Sequence, residues 1–316
     1  MGKIRLQQNS SAMTLKEMFQ QFIDFKVINN LSSRTIGYYE KCFQYFSEYF
    51  SEENTCDMVT SDTFYGYITY LRTEHPNAND ISINSYLRGV RAMLYYGMDR
   101  GYIKTFRVKL IKATKKIKET YTDEELRILL KKPDIKKCSF AEYRDWALIN
   151  YLLGTGNRIS TALNVLNCDI HYDSNEIFLS KTKNRRQQII PLSQSLTRIL
   201  QEYLIYRKGN PEDYLFCTEN GNQLSVHGIQ SSIQKYNKKR GVQKTSLHLF
   251  RHAFAKNWIL NGGDIFRLQK ILGHSSMDIV KEYVQIYGNE LHMQFNEFNP
   301  LENILRETEG ERIKMR

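Results

Sequence analysis

Apolar residues recur at helical spacing along most of the chain. Thr14-Leu-Lys-Glu17 is a capping box, in which the Thr hydroxyl and the Glu carboxylate each satisfy an orphan backbone N–H. Leu15, Met18, Phe19, Phe22 and Ile23 then follow on one face. The pattern predicts a second helix from near Ser33, with Ile36, Tyr39, Phe43, Phe46 and Phe50 turned inward, and a third over 61–72. Residues 75–80 read as a loop, and a fourth helix, striped by Ile83, Leu87, Val90, Met93 and Leu94, stops at Arg100-Gly101. These stripes read as core. A second capping box, Thr122 to Glu125, opens a C-terminal segment with helices expected over 122–131, 139–154, 193–207, 225–239, 248–261, 264–272 and 276–287. Between them, 176–181 and 187–191 place β-branched and aromatic residues around a polar turn, which predicts a hairpin. The expected fold is mainly α with a small β-hairpin or sheet. It comprises a helical N-terminal domain over 1–103, a basic linker over 104–120, and an α+β domain over 121–316 that ends in a tail from 288.

Composition narrows the function. The 316 residues suit about two domains at the usual size of roughly 100 to 200 residues each. With 41% hydrophobic and 25% charged residues, 17 Gly and 5 Pro, the chain excludes disordered and low-complexity classes. A net charge of +11 favours a polyanionic partner. Lys104, Arg107, Lys109, Lys112, Lys115, Lys116 and Lys118 all precede Glu119, so the linker is a candidate to lie along a phosphate backbone. No apolar run approaches the ~18 residues of a membrane helix. The polar N-terminus lacks a signal-peptide core, and no basic amphipathic or lipidated anchor suggests membrane-surface binding. The five cysteines are scattered without a C-x-x-C pair and fit neither a disulfide framework nor a zinc site. The expectation is a soluble, cytoplasmic, reduced protein.

Three separated islands carry candidate chemistry. Gly154-Thr-Gly-Asn-Arg158 brings an arginine through a glycine turn to the start of an apolar helix. His248-Leu-Phe-Arg251-His252 sets His and Arg on one helical face. Leu272-Gly-His274-Ser-Ser precedes Tyr283.

In that order, with a lysine on the hairpin between the first two islands, these residues resemble the tyrosine recombinase (phage integrase) family. The likeness extends to mobile-element integrases and to Xer-type recombinases, and it covers most of the chain. It implies an N-terminal SAM-like core-DNA-binding domain and a catalytic domain acting on double-stranded DNA recombination sites. It also implies self-association as a tetramer, with DNA-bending or excisionase proteins as accessory partners and no metal or other cofactor.

By resemblance, Arg158 and Arg251 match the arginines that hold the scissile phosphate. Their forks suit the non-bridging oxygens, where charge builds in the transition state. Tyr283 matches the nucleophile, with Tyr287 an alternative on the same helical face. His248 matches a proton-exchange position, and His274 a phosphate contact. Lys181 or Lys183 would protonate the leaving 5′-oxygen. The Lys-Thr-Lys pattern favours Lys181, which leaves Lys183, Arg185 and Arg186 as backbone contacts. Phe250 stands where the family keeps Leu, and His252 reads as a supporting partner. Thr161 occupies a position that is usually acidic in the family, and a Thr there can hydrogen-bond but not form a charged pair. Competing readings are a type IB topoisomerase, separable by assembly on paired sites, and a catalytically silent DNA-binding regulator, separable by trapping covalent adducts.

Overall fold

The computed structural model describes residues 13–113, 119–179 and 187–273, together with Met277, Lys281 and Val284. The chain divides into two compact units, Met1–Lys116 and Ile117–Arg316.

Among the described residues, four helices build the first unit: α1 (Leu15–Ile28), α2 (Ser33–Tyr49), α3 (Ser61–Glu74) and α4 (Asp80–Asp99). Each begins at a side-chain cap. Thr14 and Glu17 form the reciprocal box before α1, while Ser32, Thr60 and Asn79 cap the other three. The apolar stripes meet in one core that includes Met18, Phe22, Phe46, Leu87 and Leu94. Aromatic packing is dense there, with Phe19 and Phe43 stacked at a centroid distance of 3.9 Å. Phe50, expected inside α2, is its extended C-cap residue. A 3-10 turn over Cys56–Met58 lies outside the helical pattern, because three residues are too few to register a period.

The stretch read as linker begins as part of this unit. Ile103 and Val108 are buried in its core, and Phe106, Leu110 and Ile111 pack against it. Asn84 on α4 fixes the backbone at Ile111 from both sides. Its amide donates to the Ile111 carbonyl (2.8 Å), and its Oδ1 accepts from the Ile111 N–H (2.9 Å).

The second unit holds α5 (Asp123–Leu130), α6 (Phe140–Thr155), α7 (Ile159–Ala162), α8 (Gln194–Arg207), α9 (Val226–Lys239), α10 (His248–Leu260) and α11 (Ile265–Leu272). Thr122 and Glu125 form the second capping box. The sheet has three antiparallel strands in the order β1 (Ile170–His171), β2 (Glu176–Leu179), β3 (Gln188–Pro191). The pattern predicted β2 and β3. With two residues, β1 is too short to carry alternation, and it exists only through its pairing Ile170↔Ile177 and His171↔Glu176.

Helix α6 is the central element and buries residues on every side, among them Trp146, Ala147, Leu148, Ile149 and Tyr151. It also carries an internal ion pair, Arg144–Asp145 at 2.6 Å, with Arg144 donating to the Cys217 carbonyl and Ser232 hydrogen-bonded to both partners. Burial pushes the Asp145 carboxyl above the usual range, and Arg144 opposes the shift. A smaller apolar cluster of Ala255, Leu268 and Leu272 holds α11 against α10, with Met277 packed on it. The whole is the mainly helical α+β architecture expected from the sequence. No helix among the described residues is long and apolar enough to cross a membrane.

Candidate active site

Arg158 is placed by a turn with little freedom. Helix α6 ends at Gly156, whose backbone is left-handed (φ 64°). A Cβ there would also stand 2.5 Å from Phe254 and 2.8 Å from Leu272, so conformation and space both require glycine. The next residue, Asn157, is buried, and its amide donates to the Tyr151 hydroxyl at 2.8 Å. Thr155 Oγ1 donates to the Tyr151 carbonyl at 2.7 Å. Burial pushes the Tyr151 phenol well up, which keeps it a neutral partner. From this braced turn the chain enters Arg158, half-buried and extended at the N-cap of α7. Thr161 is buried, and its N–H donates to the Arg158 carbonyl at 2.9 Å. A carboxylate at such a site would be desolvated, a cost that the hydroxyl of Thr161 lowers.

His248 is exposed at the first position of α10, and Arg251 lies one turn deeper, 6% exposed. The Arg251 guanidinium joins the other two islands. Nη1 donates to the Gly156 carbonyl and Nη2 to the Leu272 carbonyl, both at 2.8 Å. One side chain therefore fixes the turn leading into Arg158 and the helix end leading into His274. The resemblance assigned Arg251 to the phosphate. In the structure its fork bonds the backbone of two other segments.

The end of α11 receives a second donor that the sequence reading missed. Gln188, the first residue of β3, donates from Nε2 to the carbonyls of Lys270 (2.5 Å) and Ile271 (2.7 Å). Gly273, left-handed at φ 60°, closes the helix with its own N–H. Beyond it, the Lys281 N–H donates to the Met277 carbonyl at 2.8 Å. A polar residue opening a strand gives no local sign of where its amide points, so no pattern could have singled out Gln188.

Of the other candidates, Lys104, Arg107, Lys109 and Lys112 are exposed on the first unit, while Val108 between them is buried. That alternation presents the cations outward along a chain anchored from behind. Lys181, Lys183, Arg185, Arg186, His274, Tyr283, Tyr287, Lys115, Lys116 and Lys118 lie outside the described residues, as does the stretch from 285 onward.

The second unit thus joins the turn before Arg158 and the end of α11 through Arg251 on α10. The model of the phage integrase family matches residues 119–290, and that of the phage integrase SAM-like domain matches residues 14–117. The chain belongs to the phage integrase family, the tyrosine recombinases. It is similar to the tyrosine recombinase XerD of Listeria innocua, 23% identical over 300 residues, which span 90% of this chain and 99% of that protein. Its fold is similar to that of the Tn1549 transposon integrase in complex with a circular intermediate DNA. There the TM-score is 0.72 at 19% identity, covering 87% of this chain and 95% of that one. It is also similar to a lambda integrase tetramer bound to a Holliday junction, with a TM-score of 0.69 at 14% identity over 89% of this chain and 80% of that one.

Proposed function

We propose that this protein is a site-specific recombinase that cuts and rejoins double-stranded DNA, serving the integration and excision of a mobile element. The carrying observation is Arg251, whose two bonds bring the Arg158 turn and the approach to His274 to one place. In the reaction, the Tyr283 oxygen attacks the scissile phosphorus and its proton passes to His248. The bond from phosphorus to the 5′-oxygen breaks, and Lys181 protonates that oxygen. Arg158, Arg251 and His274 stabilise the charge on the non-bridging oxygens. The product is a 3′-phosphotyrosyl bond and a 5′-hydroxyl. Attack by a 5′-hydroxyl from the partner duplex reverses these steps and reseals the strand, so neither ATP nor metal enters the balance.

Domain 1–103 and the cations of 104–120 would grip the core site, joined by Lys183, Arg185 and Arg186. Residues 288–316 would mediate contacts in a tetramer. A second reading, Xer-like resolution of DNA dimers, is favoured by the nearly full-length likeness to XerD.

The test uses nicked duplexes carrying inverted repeats from the DNA that flanks the gene. Wild-type protein should form a covalent adduct, and Tyr283→Phe should bind without forming one. An adduct that persists in Tyr283→Phe moves the nucleophile to Tyr287, and no adduct with wild type overturns the proposal. Recombination at the flanking repeats supports the mobile-element role, and activity only at a chromosomal dimer-resolution site supports the second reading.

A further inference from the structure

We propose that Gln188 is a positioning residue for strand cleavage, coupling the strand that follows the candidate lysine to the helix end that leads to His274 and Tyr283. The inference rests on the recombinase reading given above. An α-helix leaves its last four carbonyls without intrahelical donors. In α11 each of them has a donor among the described residues. Gln269 and Lys270 receive the Gly273 N–H, Lys270 and Ile271 receive Gln188, and Leu272 receives Arg251. Only the first donor is local. The other two come from β3 and α10, so the end of α11 is fixed to both elements that flank the proposed chemistry.

The fit is close. A Cβ on Gly273 would stand 2.9 Å from Gln188 Oε1, so the glycine that closes α11 also admits the glutamine. On its own sheet, Gln188 pairs in register with Leu179, which is buried and precedes Lys181 by two residues in sequence. One amide thus ties the sheet base to the helix end. The chemistry calls for an amide, since Nε2 has two N–H donors, one for each carbonyl. A carboxylate of the same shape would have no donor and would place negative charge at the negative end of the helix dipole.

When Gln188 is changed, the Gly273 N–H and Arg251 still hold the end of α11, so the loss should fall on the strand that follows the candidate lysine and hence on leaving-group protonation. Gln188→Glu, with Gln188→Met as an uncharged variant of similar length, would be tested on two otherwise identical nicked duplexes. One has the natural scissile phosphate, and the other has sulfur in place of the 5′-oxygen, which leaves without protonation. Misplacing a catalytic group by about 1 Å costs on the order of 10²-fold, so cleavage of natural DNA should fall about 10- to 100-fold. Cleavage of the sulfur substrate should stay near wild type. An equal loss on both substrates, or no loss on either, overturns the role. A variant that lost its fold would lose both substrates alike and count against the proposal unless Gln188→Met separates them. Wild-type protein that forms no adduct on either duplex would instead overturn the recombinase reading itself.

Discussion

Replacing Arg251 by lysine keeps the positive charge and removes the fork. In the native protein, the two terminal nitrogens reach carbonyls on different elements, Gly156 and Leu272, each at 2.8 Å. Lysine offers a single nitrogen on a shorter stem and cannot reproduce two donors set side by side. One charge-assisted bond is then lost, worth about 1.5–3 kcal/mol, with no relief from burial because a cation still occupies a site only 6% exposed. For a unit of about 200 residues, each kcal/mol shifts the melting temperature by about 2–4 °C, so the expected fall is about 3–12 °C. The assay is selective. Both tryptophans, Trp146 and Trp258, lie in the second unit, so a fluorescence-monitored melt reads that unit alone. Cleavage should fall further than stability explains, by on the order of 10²–10³ at a temperature where the variant is folded, the scale of one missing transition-state donor. An unchanged melt would refute the stapling role. A lowered melt with wild-type cleavage would refute the phosphate role and leave Arg251 as a structural residue.

Gly156→Ala should destabilise the second unit by about 2–5 kcal/mol, combining a left-handed alanine with overpacking against Phe254 and Leu272. Gly221→Ala is the control: its φ is 79° with open space around it, so only the smaller conformational cost of about 1–2 kcal/mol should appear. Equal losses in the two variants would show that crowding at Gly156 is immaterial. The Cys42 and Cys56 thiols are pushed up to about 11 by burial, so at pH 8 roughly one in a thousand is thiolate. In a maleimide time course the exposed Cys168 should label first and these two only on unfolding; labelling of Cys42 as fast as Cys168 would contradict the packed first unit.

The helix starts were legible because their causes are local. Thr14 with Glu17, and Thr122 with Glu125, satisfy backbone donors within one turn, so four residues of sequence contain the whole interaction. The core stripes were legible for a related reason: the helical period alone decides which residues share a face. The arginines, histidines and tyrosine of the candidate site were read from their order along the chain, in resemblance to a family. Nothing in that order says which atoms they touch. That Arg251 bonds Gly156 and Leu272, that Gln188 closes α11, and that Asn84 holds Ile111 are facts of tertiary packing. Each joins elements far apart in sequence, and each polar group would look equally at home on the surface. Burial and geometry select the partner, because a carbonyl removed from water must find a donor, and only the folded chain determines which donor is within reach.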